Sequence, residues 1–241
     1  MSAWLVARGN KSAFDSGEYD RKIKQTLPYY DVFYKEVIEL VKTLHHSPVT
    51  WLDIGCGTGK MGSIAFETVE LEKFVFCDAS DEMIRIAKER FSRPNAEFSV
   101  CDVQNLAYAN EFDVITAIQV NHYLQMHERK LALRKCYEAL KENGVFISFE
   151  NFAPLTDAGK SIYLEKWKRY QMKQGKSPDE IRKHIDRYGK DYFPITWKEH
   201  LKLMKNSGFK AVEILWLSNM QVGFWGIKSN GHVRLARCPQ E

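Results

Sequence analysis

Short apolar segments alternate with amphipathic segments along most of this chain, and this alternation predicts the order of its strands and helices. The apolar runs at 49–54, 73–77, 96–100, 111–118 and 145–149 have the length of buried β-strands. Between them, apolar residues recur every three or four positions, which is typical of helices that pack one face against a sheet. The pattern therefore predicts a Rossmann-like, doubly wound α/β fold with a mostly parallel sheet.

The alternation is interrupted once and then ends in a different pattern. Residues 154–195 are rich in Lys, Arg and Tyr and predict two helices, near 157–173 and 178–187. We interpret this segment as a helical lid insert over the carboxyl ends of the strands. After one more helix, two alternating strands are predicted at 211–217 and 221–228. Because their connection is so short, they should form an antiparallel pair that completes a seven-stranded sheet.

These patterns divide the chain into three parts. We predict an N-terminal arm or lid over residues 1–27, a main domain over 28–228 that includes the insert, and a C-terminal tail over 229–241. Within the main domain, a strongly amphipathic helix over 127–140 is predicted to end at Asn143-Gly144, a pair that is common at helix C-termini.

The most distinctive motif is Asp53-Ile-Gly-Cys-Gly-Thr-Gly59, which begins at the end of the first strand. Its glycines lack a Cβ and tolerate positive φ, so the motif predicts that a bulky ligand approaches the main chain at a helix N-terminus. Asp78 ends the second strand about 20 residues later, where a nucleotide-binding βαβ unit places the carboxylate that binds a ribose.

Composition narrows the class of protein. Of 241 residues, 44% are hydrophobic, which is enough for a sizeable core, and the net charge of +4 is well short of a nucleic-acid-binding arm. The five cysteines show no Cys-x-x-Cys spacing, which favours reduced, buried thiols in a cytoplasmic protein. We find neither a signal-peptide pattern nor an apolar run of about 18 residues, so no membrane association is expected. No metal is expected either, because the His, Cys and Asp residues lack the spacing of metal ligands.

Together these residues resemble the class I S-adenosylmethionine (SAM) dependent methyltransferase family, over roughly 49–228. The resemblance implies an enzyme that transfers the methyl group of SAM and releases S-adenosylhomocysteine. It also implies that the glycine loop binds the methionine part of SAM, that Asp78 binds the ribose hydroxyls and that Asp102 with Val103 meets the adenine edge. The residues expected to contact the cofactor are Tyr30, Asp53, Gly55, Cys56, Gly57, Gly59, Asp78, Ala79, Met83, Asp102, Val103, Ile118 and Gln119.

Within this family, the chain is similar to methyltransferase-domain proteins of the type 12 and 25 kind and, more distantly, to the tRNA wobble-uridine carboxymethyltransferases, which use carboxy-SAM. The similarity is carried by segments 25–30, 123–129 and 145–152. Two positions depart from it: an expected asparagine is Ile118, and the arginine that binds the extra carboxylate aligns with Ile185. Because a buried carboxylate without a cationic partner is costly, ordinary SAM is expected rather than carboxy-SAM.

Candidates for the chemistry follow the fourth strand, where the resemblance places the transferred methyl group. His122 and Tyr123 are predicted to orient or deprotonate the acceptor, although a His and a Tyr packed beneath a lid would look the same in sequence. In-line methyl transfer to a small-molecule acceptor depends on alignment more than on acid–base help. The residues expected to contact that acceptor are Tyr19, Glu150, Tyr163, Tyr192 and Trp225.

Several alternatives remain open at this point. The glycines at 57, 59 and 62 also match the dinucleotide fingerprint of NAD-binding proteins, although Asp53 and the terminal strand pair favour SAM. Asp78 and Asp102 have the positions of ordinary turn or helix caps as well. The basic insert, with Trp167 and Tyr170, keeps tRNA open as a substrate. A SAM-binding protein without activity is another alternative, and either a monomer or a homodimer is consistent with the sequence.

Overall fold

A computed structural model describes residues 18–229 and gives the following elements. The helices are α1 (Tyr19–Thr26), α2 (Tyr30–Leu44), α3 (Lys60–Thr68), α4 (Asp81–Arg90), α5 (Met126–Ala139), α6 (Asp157–Lys173), α7 (Pro178–Ile185) and α8 (Trp197–Asn206). The strands are β1 (Val49–Ile54), β2 (Leu71–Asp78), β3 (Ala96–Val100), β4 (Phe112–Ile118), β5 (Leu140–Asn151), β6 (Ala211–Ser218) and β7 (Gln221–Ile227).

The strands form one seven-stranded sheet in the order β3-β2-β1-β4-β5-β7-β6. β1 to β5 pair in parallel, whereas β7 pairs antiparallel with both β5 and β6. This confirms the predicted doubly wound fold with its antiparallel pair. The strand order reverses between β1 and β4, and the crevice at such a reversal is where ligands bind in open α/β sheets.

The core consists of two apolar layers, one on each face of the sheet. Successive side chains of a strand point to opposite faces, so Trp51 packs in the layer with Phe74 and Phe149, while its neighbour Leu52 packs with Phe146 in the other layer. All six residues of β1 are buried, as expected for a central strand that is covered on both faces. The rigid sheet therefore fixes the positions of the loops at its carboxyl edge.

The predicted end of the fifth helix was wrong. α5 ends at Ala139, and the chain continues directly into β5. Asn143 has a positive φ of 64°, but it lies inside the strand, where its N–H donates to the carbonyl of Lys228 at 2.6 Å. Pairing with the chain after β7 thus decides the conformation of a residue that resembles a helix cap in sequence.

The two helices predicted in the insert are α6 and α7, and α6 packs against α1. The indole N–H of Trp167 donates to the carbonyl of Thr26 at 2.6 Å, and the hydroxyl of Tyr170 donates to the carbonyl of Lys24 at 2.7 Å. Residues 1–17 of the predicted arm and 230–241 of the predicted tail lie outside the described residues. Within 18–229, none of the helices has the length and apolar character needed to cross a membrane.

Candidate cofactor and substrate site

A cavity of about 130 Å³ opens at the carboxyl ends of β1, β2 and β4. Nine of the thirteen residues predicted to contact a cofactor line it: Gly55, Gly57, Asp78, Ala79, Met83, Asp102, Val103, Ile118 and Gln119. Tyr30, Asp53 and Cys56 line a smaller adjoining cavity of about 20 Å³. The strands thus bring together residues from four segments of the sequence.

The glycines of the loop are required for different reasons. A Cβ on Gly55 would lie 2.4 Å from Val120, and one on Gly59 would lie 2.6 Å from the ring of Phe91. Gly57 is the glycine that faces open space, since the nearest atom to its added Cβ belongs to Tyr19, 4.0 Å away. All three have positive φ, so packing and backbone conformation together fix this loop, and Gly57 leaves the main chain bare toward the cavity.

Asp78 holds the glycine loop and also faces the cavity. Its carboxylate accepts hydrogen bonds from the backbone N–H groups of Gly57 and Ser80, each at 2.9 Å, and burial raises the pKa of Asp78. Asp102 similarly accepts from the N–H of Gln104 at 3.3 Å while it lines the cavity. Both Asp78 and Asp102 therefore cap a turn and line the cavity. The interpretation of these acids as turn caps and their interpretation as ligand-binding residues do not exclude each other.

The smaller cavity contains one acidic and one basic side chain. The Asp53 carboxylate accepts from the hydroxyl of Thr116 at 2.7 Å, and burial raises its pKa to about 7. The ammonium of Lys60 forms an ion pair with Asp31 of α2 and lies 4.5 Å from the ring centre of Tyr30. This cavity therefore presents the buried carboxylate of Asp53 and an ammonium that Asp31 already partners. Lys60 was missed in the sequence because it is simply the first residue of α3.

A second cavity, of about 30 Å³, adjoins the first and shares Tyr19, Gln119 and Tyr123 with it. His122 and Tyr192 line it as well, so four of the residues predicted to act on an acceptor come together here. Four further polar residues were missed, since no sequence motif connects them to the site: Thr26, Asn151, His184 and Arg187.

The two histidines of the second cavity are neutral at physiological pH. Burial, and then the charge of Arg129, lowers the pKa of His122 to about 3. Burial, and then the charge of Lys176, lowers the pKa of His184 to about 3. A general base works best with a pKa near the operating pH, so these imidazoles suit hydrogen bonding and orientation better than proton abstraction.

Three residues predicted to contact the acceptor line neither cavity. Glu150 is fully buried, accepts a hydrogen bond from the side chain of Asn121 and forms an ion pair with Arg129 at 3.4 Å. Tyr163 lines a separate cavity of about 130 Å³. Trp225 lies in β7, opposite Ile147 of β5.

Comparison with known proteins identifies a domain within the chain. Residues 52–144 match the model of a methyltransferase domain. Its relatives extend the similarity over most of the chain. The chain is 25% identical over 197 residues to the carboxy-S-adenosyl-L-methionine synthase of Campylobacter lari, covering 81% of this chain and 84% of that protein. It is 22% identical to the synthase of the same name from Staphylococcus epidermidis, covering 90% and 96%.

Solved structures share the fold at low sequence identity. The YcgJ protein of Bacillus subtilis has a TM-score of 0.63 and 15% identity, with 84% of this chain and 100% of that chain covered. The CurJ carbon methyltransferase has a TM-score of 0.66 and 17% identity, with 90% and 60% covered. The [4+2]-cyclase SpnF also matches, with a TM-score of 0.59 and 18% identity over 81% of this chain and 80% of its own. Because proteins of such different reactions share this fold, the acceptor has to be inferred from the site.

Proposed function

We propose that the chain transfers the methyl group of SAM to a small-molecule acceptor bound in the second cavity. The observation that carries this proposal is the shared boundary: Tyr19, Gln119 and Tyr123 line both cavities. A methyl group at this boundary faces the acceptor directly, and such alignment supplies much of the acceleration in an in-line displacement.

In this proposal, SAM lies along the carboxyl edge of the sheet. Its adenine contacts Asp102 and Val103, and its ribose hydroxyls donate to Asp78. Its methionine end reaches the smaller cavity, where Asp53 binds the ammonium and Lys60 the carboxylate. The arrangement is supported by the order of these residues around the two adjoining cavities and by the bare main chain at Gly57.

We propose further that α1 and the insert form the cover of the site. Asp20 of α1 accepts from the hydroxyl of Thr58 in the glycine loop at 2.6 Å and pairs with Arg90 at 2.8 Å. Tyr19 thereby lies between the cavities, while α6 holds the other end of α1. A closed cover excludes water from the reacting atoms, and His122 and Tyr123 orient the acceptor beneath it.

One observation favours a small molecule over tRNA. Trp167 and Tyr170, the aromatic residues that might stack bases, instead donate hydrogen bonds to the backbone of the α1 region. A polynucleotide would require the insert to move away from α1.

The proposal is tested by following a labelled methyl group. The protein is incubated with methyl-labelled SAM and either a low-mass filtrate of a cell extract or total tRNA, with SAM binding measured separately by calorimetry. We expect SAM to bind and the label to enter a compound of the filtrate. Label that enters only tRNA, or no SAM binding at all, would refute the proposal.

A second candidate is a reaction that makes or uses carboxy-SAM. It is favoured by the names of the two relatives, which this chain matches over most of its length. Mass spectrometry of the ligand that co-purifies with the protein separates the candidates. We expect SAM or S-adenosylhomocysteine, whereas a ligand with the mass of carboxy-SAM would favour the second candidate.

A further inference from the structure

We propose that the separate cavity lined by Tyr163, called here the α6 cavity, is an accessory binding site for a small, neutral aromatic ring that carries a hydroxyl or a similar hydrogen-bonding group. Among the described residues, the α6 cavity shares no lining residue with the first cavity, the smaller adjoining cavity or the second cavity. A ligand can therefore bind here whether or not the first cavity holds a cofactor.

Aromatic side chains dominate the walls of the α6 cavity. It lies between the connection from α1 to α2, one face of α6 and the turn from β6 to β7. Tyr163, Trp167 and Tyr170 follow one another at intervals of four and three residues, so they lie on the same face of α6. Tyr29 adds a fourth aromatic side chain from the α1–α2 connection. Aromatic rings pack favourably against one another, so these walls suit a ligand that is itself a ring.

Two of these rings are fixed by hydrogen bonds at their polar ends. The indole N–H of Trp167 donates to the carbonyl of Thr26 at 2.6 Å, and the hydroxyl of Tyr170 donates to the carbonyl of Lys24 at 2.7 Å. Both polar groups are thus used within the protein, and the rings remain as apolar wall. Because side chains that are already fixed lose little freedom when a ligand binds, this wall is preorganised.

The size of the α6 cavity matches a single six-membered ring. An apolar cavity of about 150 Å³ in a protein interior is large enough to bind benzene. The α6 cavity, at about 130 Å³, is only slightly smaller. Two of its lining residues, Tyr29 and Lys166, are exposed, so a ligand can reach the cavity from solvent. One ring with a small substituent therefore fits.

One buried amide supplies the polar contact. Gln221 lines the α6 cavity and is only 4% exposed. Within the part of the chain that the structure describes, its Oε1 has no hydrogen-bond partner. Buried polar groups are nearly always paired in folded proteins, so this amide is available to a ligand. A hydroxyl both donates and accepts, so it can pair with either polar atom of the amide.

The charges at the α6 cavity favour a neutral ring over a cation. Groups of aromatic rings also bind ammonium ions. However, none of the described residues that line this cavity is an Asp or a Glu, and Lys166 brings a positive charge. Its ammonium lies 5.8 Å from the ring centre of Tyr163 and donates to Oδ1 of Asn219 at 2.6 Å. A second cation beside this ammonium would be repelled.

The experiment uses phenol and fluorobenzene, two rings of similar shape of which only phenol carries a hydroxyl. The 241-residue protein, labelled with ¹⁵N, is titrated with each compound, and NMR follows the indole N–H of Trp167 and the side-chain amide of Gln221. We expect phenol to shift both signals, and S-adenosylhomocysteine not to displace it. The absence of any shift, displacement of phenol by S-adenosylhomocysteine, or tighter binding of tetramethylammonium than of phenol would overturn the proposal.

Gln221→Leu isolates the hydrogen bond, because leucine is similar in size but apolar. In this variant the ratio of the affinity for phenol to the affinity for fluorobenzene should fall at least about threefold, as expected for the loss of one neutral hydrogen bond. Gln174→Leu is the matched control and should leave the ratio unchanged, since Gln174 is exposed directly after α6 and does not line the α6 cavity. A ratio that stays the same in Gln221→Leu would overturn the proposal.

A second variant tests the aromatic wall and serves if Gln221→Leu does not fold. Tyr163 is half-buried on α6, and Tyr163→Ala removes one ring from the α6 cavity. Loss of an aromatic contact should weaken the binding of both phenol and fluorobenzene at least about threefold. Wild-type affinity of Tyr163→Ala for both compounds would place them elsewhere and overturn the proposal.

Discussion

Replacing Asp78 by Asn is the sharpest perturbation of the proposed cofactor site. The carboxylate accepts from two backbone N–H groups, those of Gly57 and Ser80, each at 2.9 Å. In the SAM complex that we propose, it also accepts from the ribose hydroxyls. An amide keeps the shape of the side chain but is neutral, and one of its two polar atoms becomes a donor.

The expected loss follows from these contacts. Hydrogen bonds to a charged group contribute about 1.5–3 kcal/mol each, and neutral ones about 0.5–1.5 kcal/mol. Weakening two ribose contacts and disturbing the loop contact to Gly57 should cost about 2–4 kcal/mol of binding free energy, or roughly 30- to 700-fold in the dissociation constant. Folding should suffer less, because burial already raises the pKa of Asp78 and a neutral amide avoids the burial of that charge.

Calorimetric titration with S-adenosylhomocysteine measures the effect, with thermal unfolding as the check on stability. Asp81→Asn is the control: Asp81 is exposed at the start of α4, three residues further on, and its carboxylate accepts from the N–H of Glu82. We expect the control to bind as the wild type does. An Asp78→Asn variant that folds and keeps wild-type affinity would refute the proposed role of Asp78.

Three further predictions concern packing, a buried ion pair and pH. Gly59→Ala should lower the free energy of unfolding by about 1–3 kcal/mol more than Gly175→Ala does. Both glycines have positive φ, but a Cβ at Gly175 meets nothing within 4 Å, so only Gly59→Ala adds a clash. Equal losses of the two variants in denaturant unfolding would contradict this prediction. Arg129→Met should lower the free energy of unfolding by about 3–5 kcal/mol, because it leaves the buried Glu150 carboxylate without its cation. Arg134 is exposed, so Arg134→Met should lower it by less than about 1 kcal/mol. Similar losses for the two variants in denaturant unfolding would show that burial is not decisive. Burial raises the pKa of Asp53 to about 7, and a bound ammonium favours the ionised carboxylate. The affinity for SAM, measured by calorimetry, should therefore rise with pH up to about 7 and then level. If Asp53→Asn shows the same rise, ionisation of Asp53 is not its cause.

The sequence was sufficient for the fold and for most residues that line the first cavity because both depend on local signals. Periodicity identifies each strand and helix, and the cavity of a doubly wound sheet lies at the carboxyl ends of its strands, where Asp78 ends β2 and Asp102 follows β3. Where long-range pairing decides the conformation, the same reasoning fails. Asn143 has the sequence of a helix cap but lies in β5, where it bonds to the chain beyond β7.

The second cavity could be predicted only in part for a related reason. His122 and Tyr123 follow a strand, but Arg187 and Tyr192 come from the insert, and their approach depends on how α6 and α7 pack against α1. Glu150 also follows the pattern of a residue at a strand end, yet its charge is used internally. It accepts from Asn121 and pairs with Arg129 beneath the loop that carries His122.

The most direct test of the central claim is a crystal structure of the protein with SAM bound. We predict that the ribose hydroxyls contact Asp78 and that the methyl carbon lies at the boundary formed by Tyr19, Gln119 and Tyr123, facing the second cavity. A methyl group that points away from that cavity, or SAM bound elsewhere, would contradict the account.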